Sequence, residues 1–117
     1  MLKVTQYGDI RIPRGDSGYF EVRKCKDGEV FPFSEGDTLT FTVKRTAKDP
    51  VLIQKTVTSF SSGVAQFRID PIDTANLDFG IYRFDVQAKS SAGDVDTLVG
   101  PANFIVGEEI TDEKILR

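Results

Sequence analysis

The chain has 117 residues, 39% of them apolar and 28% charged, and a net charge of −3, which fits one globular domain and offers no basic excess for nucleic acid. It has no histidine, no tryptophan and one cysteine, excluding Ser-His-Asp and Cys-His catalysis, histidine metal centres and an internal disulfide. No apolar run reaches the length of about 18 residues needed for a membrane span, and Met1–Tyr7 lacks the apolar core of a signal peptide. The expectation is a protein made in a reducing cytoplasm, with no membrane insertion.

Val, Ile, Thr, Phe and Tyr supply 42 residues, against 13 of Ala, Leu and Met. Branched and aromatic side chains suit a pleated, half-buried surface and lose rotamer freedom in helices. Turn signals recur about every ten residues. They are Pro13-Arg14-Gly15-Asp16, Lys26-Asp27-Gly28, Glu35-Gly36-Asp37, Lys48-Asp49-Pro50, Ser61-Ser62-Gly63, Asp78-Phe79-Gly80 and Ala92-Gly93-Asp94.

In chain order, Ser17–Lys24 is the first strand with a clear buried pair, Phe20 and Val22. Arg14-Gly15-Asp16 before it spells an integrin-recognition tripeptide, but its position makes it a turn into that strand. Cys25 follows, without the histidine base or resolving cysteine that a reactive thiol uses. Thr38–Lys44 alternates Leu39, Phe41 and Val43 with three threonines and Lys44. Lys44, Arg45 and Lys48 then form a solvated hairpin end. Val51–Val57 is a less regular strand, and Val64–Ile69 turns Ala65, Phe67 and Ile69 inward.

Asp73–Leu77 is long enough for one helical turn, capped by Asp70 or Asp73. Asp70, Asp73 and Asp78 around this loop, with Asp94 and Asp96 around another, are the only acid/base or metal candidates. Their spacing lacks the alternating donors of a calcium loop, so they are read as caps and turn stabilisers. Gly80-Ile81-Tyr82 then opens an alternating strand, Ile81–Ala88, whose inward residues are Tyr82, Phe84, Val86 and Ala88. A glycine two residues before such a tyrosine matches the tyrosine corner of immunoglobulin-like sandwiches, with the hydroxyl bonding back to backbone near Leu77. Val95–Val106 is broken at Gly100-Pro101, where a missing N–H marks a bulge, a bend or an edge. The tail carries acidic residues before Lys114 and Arg117.

The period-two pattern with one polar face predicts an all-β chain: an immunoglobulin-like antiparallel β-sandwich of about seven to nine strands. Residues 1–106 form the sandwich; residues 107–117 form an acidic tail, disordered or the start of a linker helix.

The order of these pieces resembles a known family. It runs Ile10-x-Ile12-x-Arg14-Gly15-Asp16-Ser17-x-x-Phe20, Asp27-Gly28, Gly36-Asp37-Thr38-Leu39-Thr40-Phe41-Thr42-Val43-Lys44 and Leu52-Ile53-Gln54-Lys55. After these come Gly63-Val64-x-x-Phe67-x-Ile69-x-Pro71-x-Asp73-Thr74-x-x-Leu77-x-x-Gly80-x-Tyr82-x-Phe84-Asp85-Val86, then Thr97-Leu98-x-Gly100 and Phe104-x-Val106. This is similar to the N-terminal immunoglobulin-like domain of phage baseplate upper proteins and related small phage and prophage tail proteins of Gram-positive hosts. The resemblance implies a non-enzymatic structural protein of the virion, a tail or baseplate component assembled in the host cytoplasm. It implies partners among other tail and baseplate proteins and a possible homo-oligomer, with no catalytic residue, cofactor or metal. Baseplate upper proteins continue into a helical linker and further domains, whereas this sequence stops at Arg117.

Sheet edges are the expected contact surfaces, with Leu2-Lys3-Val4-Thr5 and Val95–Val106 as candidates. The alternative is a glycan-binding sandwich on a virion or bacterial surface. Its platforms would come from Tyr7, Tyr19, Phe31, Phe33, Phe60 and Phe79, and an exposed ring pair beside Asp or Asn would favour it.

Overall fold

The computed structural model describes residues 1–26 and 28–108. Its main sheet follows from alternation. β6 (Thr38–Lys44) buries Leu39, Phe41 and Val43 and turns its threonines and Lys44 outward, and β9 (Gly80–Lys89) buries Tyr82, Phe84 and Val86 in the same rhythm. The two pair antiparallel from Thr38↔Lys89 to Lys44↔Arg83. Around them lie β1 (Lys3–Val4), β2 (Ile10–Pro13), β7 (Val51–Val57) and β10 (Val95–Gly107), in the order β1-β2-β10-β9-β6-β7.

The second layer is a pair of strands, β3 (Gly18–Val22) and β8 (Ala65–Ile69), registered from Gly18↔Ile69 to Val22↔Ala65. Phe20, Val22, Ala65, Phe67 and Ile69 are its buried face. Phe41 is fully buried where the layers meet, with ring centroids 4.9 Å from Phe20, 5.5 Å from Phe84, 5.9 Å from Phe67 and 6.0 Å from Phe104. Tilted and edge-on rings at such spacings add about 0.5–1.5 kcal/mol per pair to the area they bury. The sandwich and the inward set read from the sequence are both present.

The structure departs from the sequence reading in its periphery. There are ten strands among the described residues, because β1 and a separate hairpin of β4 (Lys24–Lys26) and β5 (Glu29–Phe31) add short pieces. Cys25 therefore sits within a strand, exposed and opposite Val30. The turn residue Asp27 lies outside the described residues. One pairing is parallel: β2 runs alongside β10 from Phe104↔Ile10 to Gly107↔Pro13. β2 passes directly into β3 of the other layer, so no hairpin forces these two distant strands to be antiparallel. Strand β10 also continues through Gly107, which places the first residue of the anticipated tail in the sandwich. Residues 109–117 of that tail lie outside the described residues.

Between β8 and β9 the helical turn α1 (Pro71–Ala75) begins two residues earlier than expected. Proline at N1 presets its φ, and the Asp73 carboxylate accepts the Asp70 N–H at 2.7 Å. Thr74 is buried there and its hydroxyl accepts the Gly15 N–H at 2.8 Å, tying the first turn to this one. The tyrosine corner follows: the Tyr82 hydroxyl donates to the Asp78 carbonyl at 2.7 Å. Gly80, at φ +149, makes the sharp entry into β9. No described helix is long and apolar enough to cross a membrane.

Candidate docking surface

A sheet of this order has two margins, and here a third opens inside it. β1 is one margin, two residues long and paired to β2 at Lys3↔Arg11 and Val4↔Ile10. The edge expected at Leu2–Thr5 is therefore present, though Leu2 itself packs on the core beside Gly18. The N-terminal ammonium meets Asp16 at 2.7 Å.

The expected edge at Val95–Val106 holds for its first half and fails for its second. From Phe104 to Val106, β10 is flanked by β2 and β9, whereas Val95–Ala102 pairs with β9 alone. The break comes from the turn before β2. The Asp9 carboxylate accepts the Asn103 N–H at 3.0 Å, marking where β2's coverage starts. Register shifts on either side of Val99 form the bulge anticipated at Gly100-Pro101. Gly100 has φ +97, and a Cβ there would lie 2.6 Å from the Phe84 carbonyl oxygen.

The remaining margin, β7, escaped the sequence reading. It pairs with β6 alone, from Leu39↔Val57 to Lys44↔Val51 with a register shift that leaves Leu52 without a partner, and it exposes Val51 and Leu52. Its apolar start, Val51-Leu52-Ile53, breaks alternation, which was the available signal. Lys55 registers with the buried Phe41 and so turns toward the second layer. There its ammonium lies 2.8 Å from Asp73 and 3.4 Å from Asp70, and Arg68 binds Asp70 at 2.7 Å. Desolvation is the largest single influence on Lys55 and lowers its pKa, but the hydrogen bonds and charges of Asp73 and Asp70 together outweigh it, so the pKa ends up raised. The Arg68 hydrogen bond, with Lys55 behind it, holds the Asp70 carboxyl below its ordinary value. These carboxylates cap a turn and close one flank of the sandwich.

The other sequence candidates separate. Asp78 contributes its carbonyl to the corner, and Asp94 closes the β9–β10 turn by bonding Ser90. Among the described residues no group of three acidic or cysteine side chains could hold a metal ion. Arg14-Gly15-Asp16 forms the expected turn, with Asp16 N–H on the Pro13 carbonyl. Arg14 lies over the Phe79 ring at 4.3 Å and donates to the Leu77 carbonyl, while Asp16 holds the N-terminus. Neither end of the tripeptide is presented for recognition. Arg45, at the expected solvated hairpin end, instead has its guanidinium over the Tyr82 ring at 4.9 Å.

The six proposed glycan platforms do not assemble into one. Phe33 is buried and stacks on Phe60 at 5.0 Å. Tyr19 has the Arg68 guanidinium 5.6 Å from its ring, and Phe79 is covered by Arg14. Tyr7 and Phe31 are exposed, on a turn and on the β4–β5 hairpin respectively. Comparison with family models, curated proteins and solved structures returns no match.

Proposed function

We propose that the chain is a non-enzymatic structural protein of a phage or prophage particle, a tail or baseplate component that works as a docking module. The observation that carries this reading is the unpaired margin β7, seven residues long with exposed Val51 and Leu52. An unpaired strand offers backbone donors and acceptors to a partner strand, and main-chain pairing gives affinity without a deep pocket. The order of sequence elements shared with the baseplate domain supplies the identity of the partners, namely neighbouring tail and baseplate proteins or a second copy.

The test is made on particles purified from the producing cells, with an antibody against the chain. Gold label at the tail tip, together with particles that lack a complete baseplate when the gene is deleted, is the expected result. Intact infectious particles from the deletion, or absence of the chain from purified particles, would refute the proposal. Leu52→Lys keeps the fold, because the side chain is solvent-exposed. On this reading it lowers incorporation of the chain into particles.

A further inference from the structure

The outer face of the main sheet has a character that the docking margins do not explain. Register places Lys3, Arg11, Arg83, Lys44 and Lys89 on this face, with Lys3 directly opposite Arg11 and Lys44 directly opposite Arg83. Like charges opposed across strands cost stability, and they stand here in a chain whose net charge is −3. Asp85, opposite Thr42, is the one carboxylate among the outward residues of β6 and β9.

In the middle of this face an open groove of about 340 Å³ crosses β7, β6 and β9, a size in the range of small-molecule sites. Ala47 and Val51, at the end of the β6–β7 hairpin, form one apolar wall, and Pro101 of the β10 bulge forms the other. The floor is polar. The Gln54 amide donates to the Thr42 hydroxyl at 3.2 Å, and Asp85 and Gln87 stand beside them. Arg83 is fixed at the Pro101 end by bonds to Asn103 Oδ1 and the Pro101 carbonyl. Lys44 lines the same groove, and its ammonium has no ion pair or hydrogen bond among the described residues.

We infer that this groove binds the acidic sugar unit of a glycan, with Lys44 and Arg83 on the acid group and Thr42, Gln54, Asp85 and Gln87 on the hydroxyls. Asp85 decides the class. A bare phosphate would set its charge against this carboxylate, and an acidic peptide would bring one N–H per residue together with further carboxylates, whereas sugar hydroxyls on neighbouring carbons donate to a carboxylate and accept from amides. The two apolar walls face each other across the groove and suit the C–H faces of a pyranose. Exposed aromatic rings are not needed for this mode, so it stands apart from the ring platforms that failed to assemble.

The experiment titrates the ¹⁵N-labelled chain with methyl glucuronide, glucose 6-phosphate, methyl glucoside, acetate and inorganic phosphate, following amide shifts. Millimolar binding of a charged sugar is expected, with shifts gathered at Thr42, Lys44, Gln54, Arg83–Gln87 and Gly100–Ala102. The preferred probe of the two charged sugars tells whether the acid is a carboxylate or a phosphate. Methyl glucoside and the simple anions bind at least about tenfold more weakly, since each lacks one half of the recognition. Lys44→Gln weakens the charged sugar about tenfold and leaves the neutral sugar unchanged. Asp85→Asn weakens both sugars and does not weaken the simple anions. A dispersed spectrum checks that each variant is folded. Equal binding of phosphate and glucose 6-phosphate, equal binding of neutral and acidic sugars, shifts elsewhere, or no shifts at all would each overturn the inference.

Discussion

The corner at Tyr82 is the local feature read most directly from the sequence, and Tyr82→Phe tests it with little else disturbed. The substitution removes one oxygen whose hydrogen bond to the Asp78 carbonyl is 2.7 Å long and part-buried. The ring stays in its buried place and keeps the Arg45 guanidinium at 4.9 Å, so no cavity opens. A net hydrogen bond of this kind contributes about 1 kcal/mol, and leaving the carbonyl partly dry adds a few tenths. For a domain of this size, an unfolding entropy of about 0.25 kcal/mol per kelvin converts that loss into about 4 °C of Tm. Urea unfolding followed by circular dichroism should show the midpoint fall with an unchanged m-value, because the surface exposed on unfolding is nearly the same. A Tm within about 1 °C of the parent chain's, from thermal unfolding followed by the same signal, would show that the hydroxyl contributes nothing. The corner would then be a shape imposed by Gly80 and the buried ring alone.

Gly100→Ala forces a Cβ to 2.6 Å from the Phe84 carbonyl oxygen and 3.1 Å from the Asp85 Cα at φ +97, all of it against backbone. A loss of about 2–3 kcal/mol is expected in the same denaturation assay. Arg14→Ala removes the stack on Phe79 and the bond to the Leu77 carbonyl and should cost about 1–2 kcal/mol, while peptides containing the tripeptide should not compete for any ligand of the folded chain. Asp70 has its folded pKa depressed by Arg68 and then Lys55. Its stabilisation is complete above the ordinary carboxylate range and is lost as pH falls through the depressed folded value. Asp70→Asn should therefore differ from the parent at neutral pH and converge with it in strong acid. Lys55, raised by Asp73 and Asp70 against its desolvation, behaves in the opposite sense. Its contribution is complete below the ordinary lysine value and is lost as pH rises through the folded one, so Lys55→Met should converge with the parent in strong alkali.

What the sequence made legible was periodic or local. Leu39, Phe41 and Val43 alternate cleanly because β6 is covered on one face, and the same holds for Ala65, Phe67 and Ile69 of β8. The corner needs residues only four apart, and the α1 cap only three. What was illegible depends on distant partners. The parallel seam between β2 and β10 joins residues more than ninety apart and leaves no mark on either strand's pattern. Nothing in the irregular pattern of Val51–Val57 sets the direction of Lys55, and its inward turn makes sense only once Asp70 and Asp73 sit across the flank. The groove has the same origin, since Gln54, Thr42, Asp85 and Pro101 come from four strands and are neighbours only through register.

The three open margins of the main sheet differ in how they are guarded, and the difference bears on where on that sheet a partner strand would pair. β1 is two residues long, too short for a stable added ladder. The open half of β10 carries Asp96, a bulge and a proline that lacks an N–H, each of which interrupts a continuous ladder. β7 has no proline, and its one register shift falls at its start, beside Leu52, leaving Ile53–Val57 continuous. Its single charge, Lys55, is drawn inward by Asp70 and Asp73 and leaves Gln54, Thr56 and the exposed Val51 and Leu52 beside the unpaired backbone. Charged side chains on an edge oppose pairing with another chain. The ion pairs that close the flank of the sandwich thus also remove the one charge that would guard this edge. Breaking them with Asp70→Asn and Asp73→Asn would release Lys55 toward solvent and make β7 a poorer strand acceptor, even though no residue offered to the partner has changed.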